Sequence, residues 1–271
     1  MNLKMTKLII AIVLAMLATA CQKSEQAKQA EAMASNAQAG KALFDQKCKT
    51  VAGEKIYRTV PDVEGVLLMK VRPIRSEKEL ADPMWPGAAF GREFAGDSYI
   101  RSFLGYEYAA GNPDGTPGII TPQKRGYINT DKRPGGLPGY RFVDVIEDGV
   151  RYRYSGRREE PWQYDKSYLK GYIKFFLDKT PTSAPAPRYG VTYEDHVIPE
   201  DRAIGVASST VKVIDLQTNE VLGEMTRYTW SRRSATSASW LTSYKCPDHA
   251  VGTDAATRKF VDQILIPRKE K

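Results

Sequence analysis

The 271-residue chain has few of the residues that most often build metal and redox sites. It contains two histidines and three cysteines, and no two cysteines form a C-x-x-C pair. Without such a pair, the local ligands of a structural zinc site and the attachment points of a c-type haem are missing. The four residues after Cys48 are Lys, Thr, Val and Ala, so a second thiol and an imidazole are both absent there. The sequence therefore predicts no metal and no cofactor.

Long hydrophobic runs are also scarce. One unbroken apolar run is present, at residues 8–17, and it is too short to cross a bilayer core, which takes about 20 residues. No internal repeat of useful period is visible. With 42% hydrophobic residues, the composition is nevertheless too apolar for a disordered protein. The length then predicts one sizeable domain or two small ones.

Motifs for common enzyme chemistry are missing or wrong in detail. The sequence has no G-x-S-x-G. Residues 91–96 have the glycine spacing of a phosphate loop, but Asp97 follows where a lysine must pair with the phosphate. His196 and His249 are the two histidines available as bases, and they are not spaced as zinc ligands. We therefore predict no catalytic residue. The alternative is an envelope hydrolase whose site is assembled from separated loops.

The apolar run belongs to an N-terminal export signal. Lys4 and Lys7 precede the run without any acidic residue, and small residues follow it, as in secretory signal peptides. Residues 17–21 read Leu-Ala-Thr-Ala-Cys, so that Cys21 directly follows the small residues. This pattern resembles the lipobox of bacterial lipoproteins. It departs from the commonest form of that family, which has Leu where this chain has Ala18.

The resemblance implies a signal peptide at residues 1–20, cleavage before Cys21 and acylation of its thiol, usually with a further acyl chain on the new amino group. Stable anchoring needs about two lipid signals, at about 0.8 kcal/mol for each buried methylene. Gln22 stands where an Asp would favour the inner membrane in enteric-type lipoproteins. The resemblance thus implies a membrane anchor on the periplasmic face of the outer membrane. An ordinary secretory signal or an uncleaved anchor is the alternative.

Two cysteines, Cys48 and Cys246, remain once Cys21 is lipidated. An even pair in an oxidising compartment predicts a disulfide, and two unpaired buried thiols are the alternative. The bridge would close a loop of nearly 200 residues. The chain-entropy model gives such a loop roughly 4 to 5 kcal/mol of stabilisation.

The residues between the anchor and the body are expected to form a flexible tether over residues 21–47. Residues 22–42 are rich in Ala, Gln, Lys and Glu and have almost no large apolar side chain, although the alanines permit transient helix. Residues 48–271 are predicted to form one β-rich domain, with a possible subdivision at the proline-rich residues 181–187.

Two hairpins are predicted within this domain. They pair residues 140–146 with 150–154, and residues 209–216 with 221–230. Residues 55–60 and 66–71 are also predicted as strands, residues 168–177 fit a helix or a strand, and residues 112–139 are predicted as a long loop rich in Gly and Pro.

A helix is predicted near the C-terminus. Phe260, Val261, Ile264 and Leu265 share one face at helical spacing, and Pro267 ends the pattern. The predicted fold class is α+β, with a predominantly antiparallel β-sheet, this C-terminal helix packed on the sheet, and long Gly/Pro-rich loops.

A basic segment supplies the one hint of a ligand. Its cations are Arg151, Arg153, Arg157 and Arg158, interleaved with Tyr152 and Tyr154. Arginine forks suit phosphates and carboxylates, and a solvated, salt-bridged face is the alternative. The export signal argues against nucleic acid as the ligand. An anionic envelope component or a partner protein is therefore the expected ligand of this face.

The globular part resembles uncharacterised bacterial lipoproteins through the Val-Ile-Asp-Leu sequence at residues 213–216 and the Val-Leu-Gly-Glu sequence at residues 221–224. This resemblance implies no activity. Taken together, the sequence predicts a lipid-anchored cell-envelope protein that acts as a non-enzymatic binding or interaction module.

Overall fold

A computed structural model of the chain describes residues 3–105, 109–110, 128–129, 139–168, 170, 174–232, 239–247 and 255–268. Side chains are described for these residues except 3–24, 109–110, 128–129, 158 and 174–175. Within this part of the chain the fold is α+β, with five α-helices and mostly β-sheet. The loop predicted for residues 112–139 lies almost wholly outside the described residues.

The elements follow one another along the chain with a long helix first. The α-helices are α1 (Leu3–Thr50), α2 (Glu77–Ala81), α3 (Asp97–Phe103), α4 (Pro199–Ala203) and α5 (Ala256–Asp262). Two 3₁₀ helices span Pro86–Phe90 and Pro161–Gln163. The strands are β1 (Gly53–Ile56), β2 (Val60–Val63), β3 (Gly65–Leu68), β4 (Ala109–Ala110), β5 (Ile128–Asn129), β6 (Phe142–Glu147), β7 (Val150–Glu159), β8 (Lys174–Pro181), β9 (Tyr189–His196), β10 (Val206–Asp215), β11 (Glu220–Trp230), β12 (Tyr244–Cys246) and β13 (Leu265–Pro267).

Nine of the strands form one mixed sheet. Its order is β1, β11, β10, β9, β3, β6, β7, β8, and β12 also pairs with β11. β3 runs parallel to both β6 and β9, whereas the other pairs of this sheet are antiparallel. A predominantly antiparallel sheet was predicted, and the two parallel pairs of β3 make the observed sheet mixed. All four residues of β3 are buried, and such strands are typical of parallel pairing in the centre of a sheet.

Both predicted hairpins are confirmed. Glu147 pairs with Val150 across Asp148 and Gly149, which both have positive φ angles, 49° and 79°. This Asp-Gly turn has the backbone twist that a two-residue hairpin favours. The second hairpin pairs β10 with β11 over ten residue pairs. Residues 168–177, which fitted either helix or strand, include the start of β8.

The predicted C-terminal helix is present and packs on the sheet, but it is short. Phe260, Val261, Ile264 and Leu265 are all fully buried and belong to the main hydrophobic core. The helix ends at Asp262 because the chain then turns and Leu265 enters a parallel strand pair with β2. The apolar spacing therefore marked the buried face correctly but overestimated the length of the helix.

α1 replaces the flexible coil that was expected over residues 21–47. Ala, Gln, Lys and Glu are strong helix formers, so the composition that lacks a core also favours a helix. Residues 25–35 are exposed, whereas Phe44 is buried and packs with Tyr228 and Trp230 on the sheet. Within the described residues, no helix has the length and apolar character that crossing a membrane requires.

Gly40 is the point of closest approach between α1 and the body. A Cβ atom there would lie 2.0 Å from the carbonyl oxygen of Ile204 and 2.7 Å from Nε1 of Trp230. Only a glycine lets the helix pass this close to another backbone. The last part of α1 is therefore a packed element of the domain.

The predicted disulfide between Cys48 and Cys246 is confirmed. It joins the end of α1 to β12, with the two Cα atoms 5.7 Å apart. β12 and β1 pair with the same side of β11, β12 near its carboxyl end and β1 near its amino end. The bridge therefore connects the two segments that complete this side of the sheet.

Replacing both bridged cysteines by alanine is expected to lower the free energy of unfolding by about 2 to 5 kcal/mol, because the unfolded chain regains the freedom of a very long loop. Urea unfolding followed by circular dichroism measures the change. Dithiothreitol should destabilise the wild-type protein by a similar amount and leave the Cys48→Ala/Cys246→Ala variant unaffected. Equal stability of the oxidised and reduced wild-type proteins would contradict this expectation.

Candidate functional site

The four predicted anion-binding arginines all lie on β7, where Arg151 and Arg153 bind a carboxylate of the chain itself. Asp144 on β6 is fully buried and accepts hydrogen bonds from Arg151 Nη1 at 2.6 Å and from Arg153 Nε at 2.8 Å. Both guanidinium groups also donate to backbone carbonyls in the proline-rich segment, at Ala184 and Pro185. These two arginines therefore fasten residues 181–187 to the sheet.

Arg157 lies farther along the same strand and is also paired. It contacts Glu159, its Nε donates to Asp178 at 3.0 Å, and its guanidinium lies 4.8 Å from the centre of the Phe176 ring. The side chain of Arg158 lies outside the described residues. An anionic ligand for this face stays a prediction, and it would have to compete with the carboxylates that the three arginines already hold.

A hydrogen-bonded trio closes the end of this hairpin. Tyr154 and Lys179 both donate to Glu147. Burial, followed by the hydrogen bond to Glu147, raises the pKa of Tyr154 to about 12. The hydrogen bonds from Lys179 and Tyr154 lower the pKa of Glu147. At neutral pH the tyrosine is therefore protonated and the glutamate ionised, which suits a structural contact better than proton transfer.

Glu93 belongs to a buried polar cluster with Thr257, Arg72 and Arg227. Glu93 is 3% exposed, and its Oε2 accepts hydrogen bonds from the backbone N–H and the hydroxyl of Thr257, both at 3.1 Å. Burial raises the pKa of Glu93 to about 7, although the charges of Arg72 and Arg227 act in the opposite direction. Glu93 therefore caps the first turn of α5 from a distant part of the sequence.

Arg72 links the same cluster to the sheet. It is 4% exposed, and its Nη1 donates to Asp195 on β9 at 2.8 Å. Its guanidinium lies between two aromatic rings, 3.6 Å from the centre of Tyr193 and 4.3 Å from the centre of Phe90. A buried cation that is both ion-paired and flanked by rings is well compensated for the loss of water. Sequence analysis did not predict this cluster. Residues 91–96 have the glycine spacing of a loop, and no pattern within them indicates that Glu93 is buried.

A cleft of about 290 Å³ opens where β3 and β6 end. Its walls include Met69, Arg72, Gly96, Ile146 and Tyr154. In open sheets with parallel strands, ligands bind outside the carboxyl ends of the strands, which is where this cleft lies. Met69 and Ile146, which are 45% and 54% exposed, are apolar residues of its wall, and Lys70, Asp97 and Glu147 are charged residues of the same wall.

A larger groove, of about 1220 Å³, separates α1 from the end of β11. Tyr244 stacks on Trp230 with ring centres 5.3 Å apart and forms part of the groove wall. The remaining lining residues are Met33, Ala34, Ala37, Gln38, Lys41, Ala42 and Asp45 from α1, and Ser231, Arg232, Ser239, Thr242 and Ser243 from the body. Aromatic rings, small alanines and hydroxyl groups give room and polar contacts for an extended ligand.

His196, one of the two histidines of the hydrolase alternative, belongs to a row of hydrogen-bonded side chains across the sheet. Nε2 of His196 lies 3.1 Å from the hydroxyl of Thr210, which lies 3.1 Å from the hydroxyl of Thr226. The neighbouring carboxylate of Asp195 is bound to Arg72 instead. His249 lies outside the described residues, and the hydrolase alternative stays a prediction. Among the described residues, no three His, Cys, Asp or Glu side chains are grouped as a metal ion would need.

Comparison of the chain with protein-family models, with curated proteins and with solved structures finds no match. The candidate sites are therefore defined by geometry and chemistry alone. They are the arginine face on β7, the buried Glu93 cluster, the cleft beside β3 and the groove beside α1.

Glu93→Gln is expected to change how stability depends on pH. Between about pH 4.5 and pH 7 the unfolded chain has an ionised Glu93 and the folded chain a protonated one. The folded state then binds the extra proton, so the free energy of unfolding falls as pH rises through this window, by about 3 kcal/mol. Glutamine removes this contribution and keeps an acceptor for Thr257. Chemical unfolding from pH 4 to pH 8 measures the slope. The exposed Glu31→Gln change is the control, and parallel curves for Glu93→Gln and wild type would refute the assignment.

Asp144→Asn is expected to lower the free energy of unfolding by about 3 kcal/mol, because two arginines lose the charge that compensates their partial burial. The proline-rich segment should also become more accessible to protease. Urea unfolding and limited proteolysis at residues 182–187 measure the two effects. Asp178→Asn breaks the exposed pair with Arg157 and is the matched control, expected to cost less than about 1 kcal/mol. An equal effect of the two changes would contradict the role of Asp144 in holding the two arginines that bind the proline-rich segment.

Proposed function

We propose that the protein is a lipid-anchored component of the bacterial cell envelope that acts as a non-enzymatic binding or interaction module. The observation that carries this proposal is the sequence Leu-Ala-Thr-Ala-Cys at residues 17–21, placed directly after a basic start and a short apolar run. Cys21 is the acylated residue, and two or more acyl chains provide a stable anchor. Gln22 favours the periplasmic face of the outer membrane as the location.

The disulfide supports an exported protein. Bonds of this kind persist in oxidising compartments such as the periplasm and are rare in the cytosol. Here the bridge closes a separation of 198 residues and holds α1 against the sheet. This one covalent bond therefore links α1, the helix that carries the proposed anchor, permanently to the body.

The groove beside α1 is the binding region that the geometry favours. One wall of the groove is α1 and the other is the end of β11. The disulfide keeps the two walls together, because it joins α1 to β12, which pairs with β11. The ligand we propose is a partner protein or an anionic component of the envelope. Arg232 is an exposed cation in the lining, whereas Lys41 is already paired with Asp45 at 2.6 Å.

Cys21→Ser is expected to abolish lipid attachment. Cells grown with an alkyne analogue of palmitate should label the wild-type protein, and the variant should carry no label. The matched control is Cys48→Ser/Cys246→Ser, which removes two cysteines but keeps Cys21 and should keep the label. Intact mass spectrometry of the mature protein gives an independent readout. A mature chain that retains residues 1–20, or one whose Cys21 has no added acyl mass, would overturn the proposal.

A further inference from the structure

The direction in which α1 leaves the body can be deduced from two contacts. Cys48 is bonded to Cys246, which lies opposite Tyr228 within β11. Gly40, earlier in the helix, lies against Trp230, the last residue of β11. Followed backward from Cys48 to Gly40, the helix therefore runs toward the carboxyl end of β11. Its exposed residues 25–35 come before this crossing in the chain and so extend past that end.

β3, β6 and β9 end at the same side of the sheet as β11. β3 is parallel to β6 and β9, and β10 is antiparallel to both β9 and β11. β3, β6, β9 and β11 therefore all run in one direction. We call the side where these four strands end the carboxyl edge. α1 leaves the body at the carboxyl edge.

Exposed apolar side chains are concentrated at this edge. They come from the segment after β3, from the β6–β7 hairpin, from the residues after β9 and from the start of β12. The set is Met69, Ile74, Ile146, Val150, Val197, Ile198, Leu241 and Tyr244, with exposed fractions from 40% to 80%. Ile74 is the most exposed of them, at 80%. Groups of exposed apolar residues of this kind mark surfaces that contact another molecule.

Exposed apolar side chains are also present at the opposite end of the sheet. Ile56 and Tyr57 are exposed there, but ion pairs surround them. Lys55 pairs with Glu224 at 3.1 Å, and Arg58 reaches both Asp215 and Glu220. Ion pairs are present at both ends, because Glu147 pairs with Lys179 beside Ile146 at the carboxyl edge. The two ends thus differ in the number of their exposed apolar side chains.

We propose that the carboxyl edge docks on the surface of the lipid bilayer, with Met69, Ile74 and Ile146 entering the interface. This inference rests on the proposed lipid anchor at Cys21. Because α1 leaves at the carboxyl edge, an anchored protein turns this edge toward the membrane. Cys21 is nineteen residues before Gly40, which is about 28 Å along a helix.

The segment between the anchor and the body allows the edge to reach the bilayer. Residues 25–35 are exposed, so packing on the body does not stabilise the helical conformation of this part of α1. Local unwinding or bending there brings the edge down to the membrane. The anchor also keeps the edge at a high effective concentration near the bilayer, so a weak contact is sufficient. Tyr244, stacked on Trp230, is an aromatic residue of the type found at membrane interfaces.

Photo-crosslinking to lipid tests the docking. The mature protein with its lipid is purified from membranes and reconstituted in vesicles of phosphatidylethanolamine and phosphatidylglycerol that contain a phospholipid with a diazirine in its acyl chain. After irradiation, mass spectrometry maps the lipid adducts. We expect adducts on the peptides that contain residues 69–74 and 146–150, and we expect them to fall several-fold in the variant Ile74→Glu/Ile146→Glu.

The matched control is Ile56→Glu/Tyr57→Glu, which changes two exposed apolar residues at the opposite end and should leave the adducts at the carboxyl edge unchanged. Both variants alter exposed side chains, and thermal unfolding checks that each is folded. Adducts confined to residues near Cys21, or spread equally over both ends, would overturn the docking and leave the edge to a protein partner. The intact mass of the same sample reports acylation. An acylated protein without edge adducts therefore contradicts the docking alone, whereas an unacylated one contradicts the proposed anchor.

Discussion

The pairing of one side of β11 is the constraint on which the rest of the structure depends. An unpaired strand leaves a row of N–H and C=O groups open to other chains. On this side of β11, β1 pairs with residues 223–226 and β12 with residues 228–230. The two short strands come from segments almost 200 residues apart, and the disulfide joins β12 to the end of α1, just before β1. The path of α1, the groove beside it and the edge at which it leaves all follow from this arrangement.

Buried carboxylates held by arginines fix the connections between strands. Asp215 is fully buried at the end of β10 and accepts hydrogen bonds from Arg188 at 2.7 Å and Arg58 at 3.1 Å. The hydrogen bonds from Arg188 lower the pKa of Asp215 to about 2. Its stabilising contribution is therefore present above the unfolded pKa near 3.9 and is lost as pH falls toward 2. Glu93 has the opposite sign, because burial outweighs its cations and raises its pKa. The stabilising contributions of Asp215 and Glu93 therefore change with pH in opposite directions.

Local signals in the sequence predicted the local features of the fold. Asp148 and Gly149 specify a turn by their own backbone preferences, so the hairpin around them could be predicted without knowing its neighbours. The parallel pairing of β3 depends on strands far away in the sequence and left no local signal. The same limit applied to the arginine face. Alternation places Arg151 and Arg153 on one face of a strand, but only the register of the sheet brings Asp144 opposite Arg153. The burial of Glu93 likewise depends on Thr257, which is distant in the chain.

The direction of the strands and the path of α1 are set by separate features of the sequence. Strand direction follows from the hairpins and the parallel pairs around β3, whereas the path of α1 follows from Gly40 and the disulfide. With the proposed anchor at Cys21, a helix leaving at the opposite end of the sheet would bring the end that contains Arg58 nearer to the membrane than the end that contains Ile74. The chain instead places eight of its exposed apolar residues and the exit of α1 at the same edge. A purely soluble binding module has no need of this coincidence, whereas a protein that works in contact with a membrane gains from it a defined orientation.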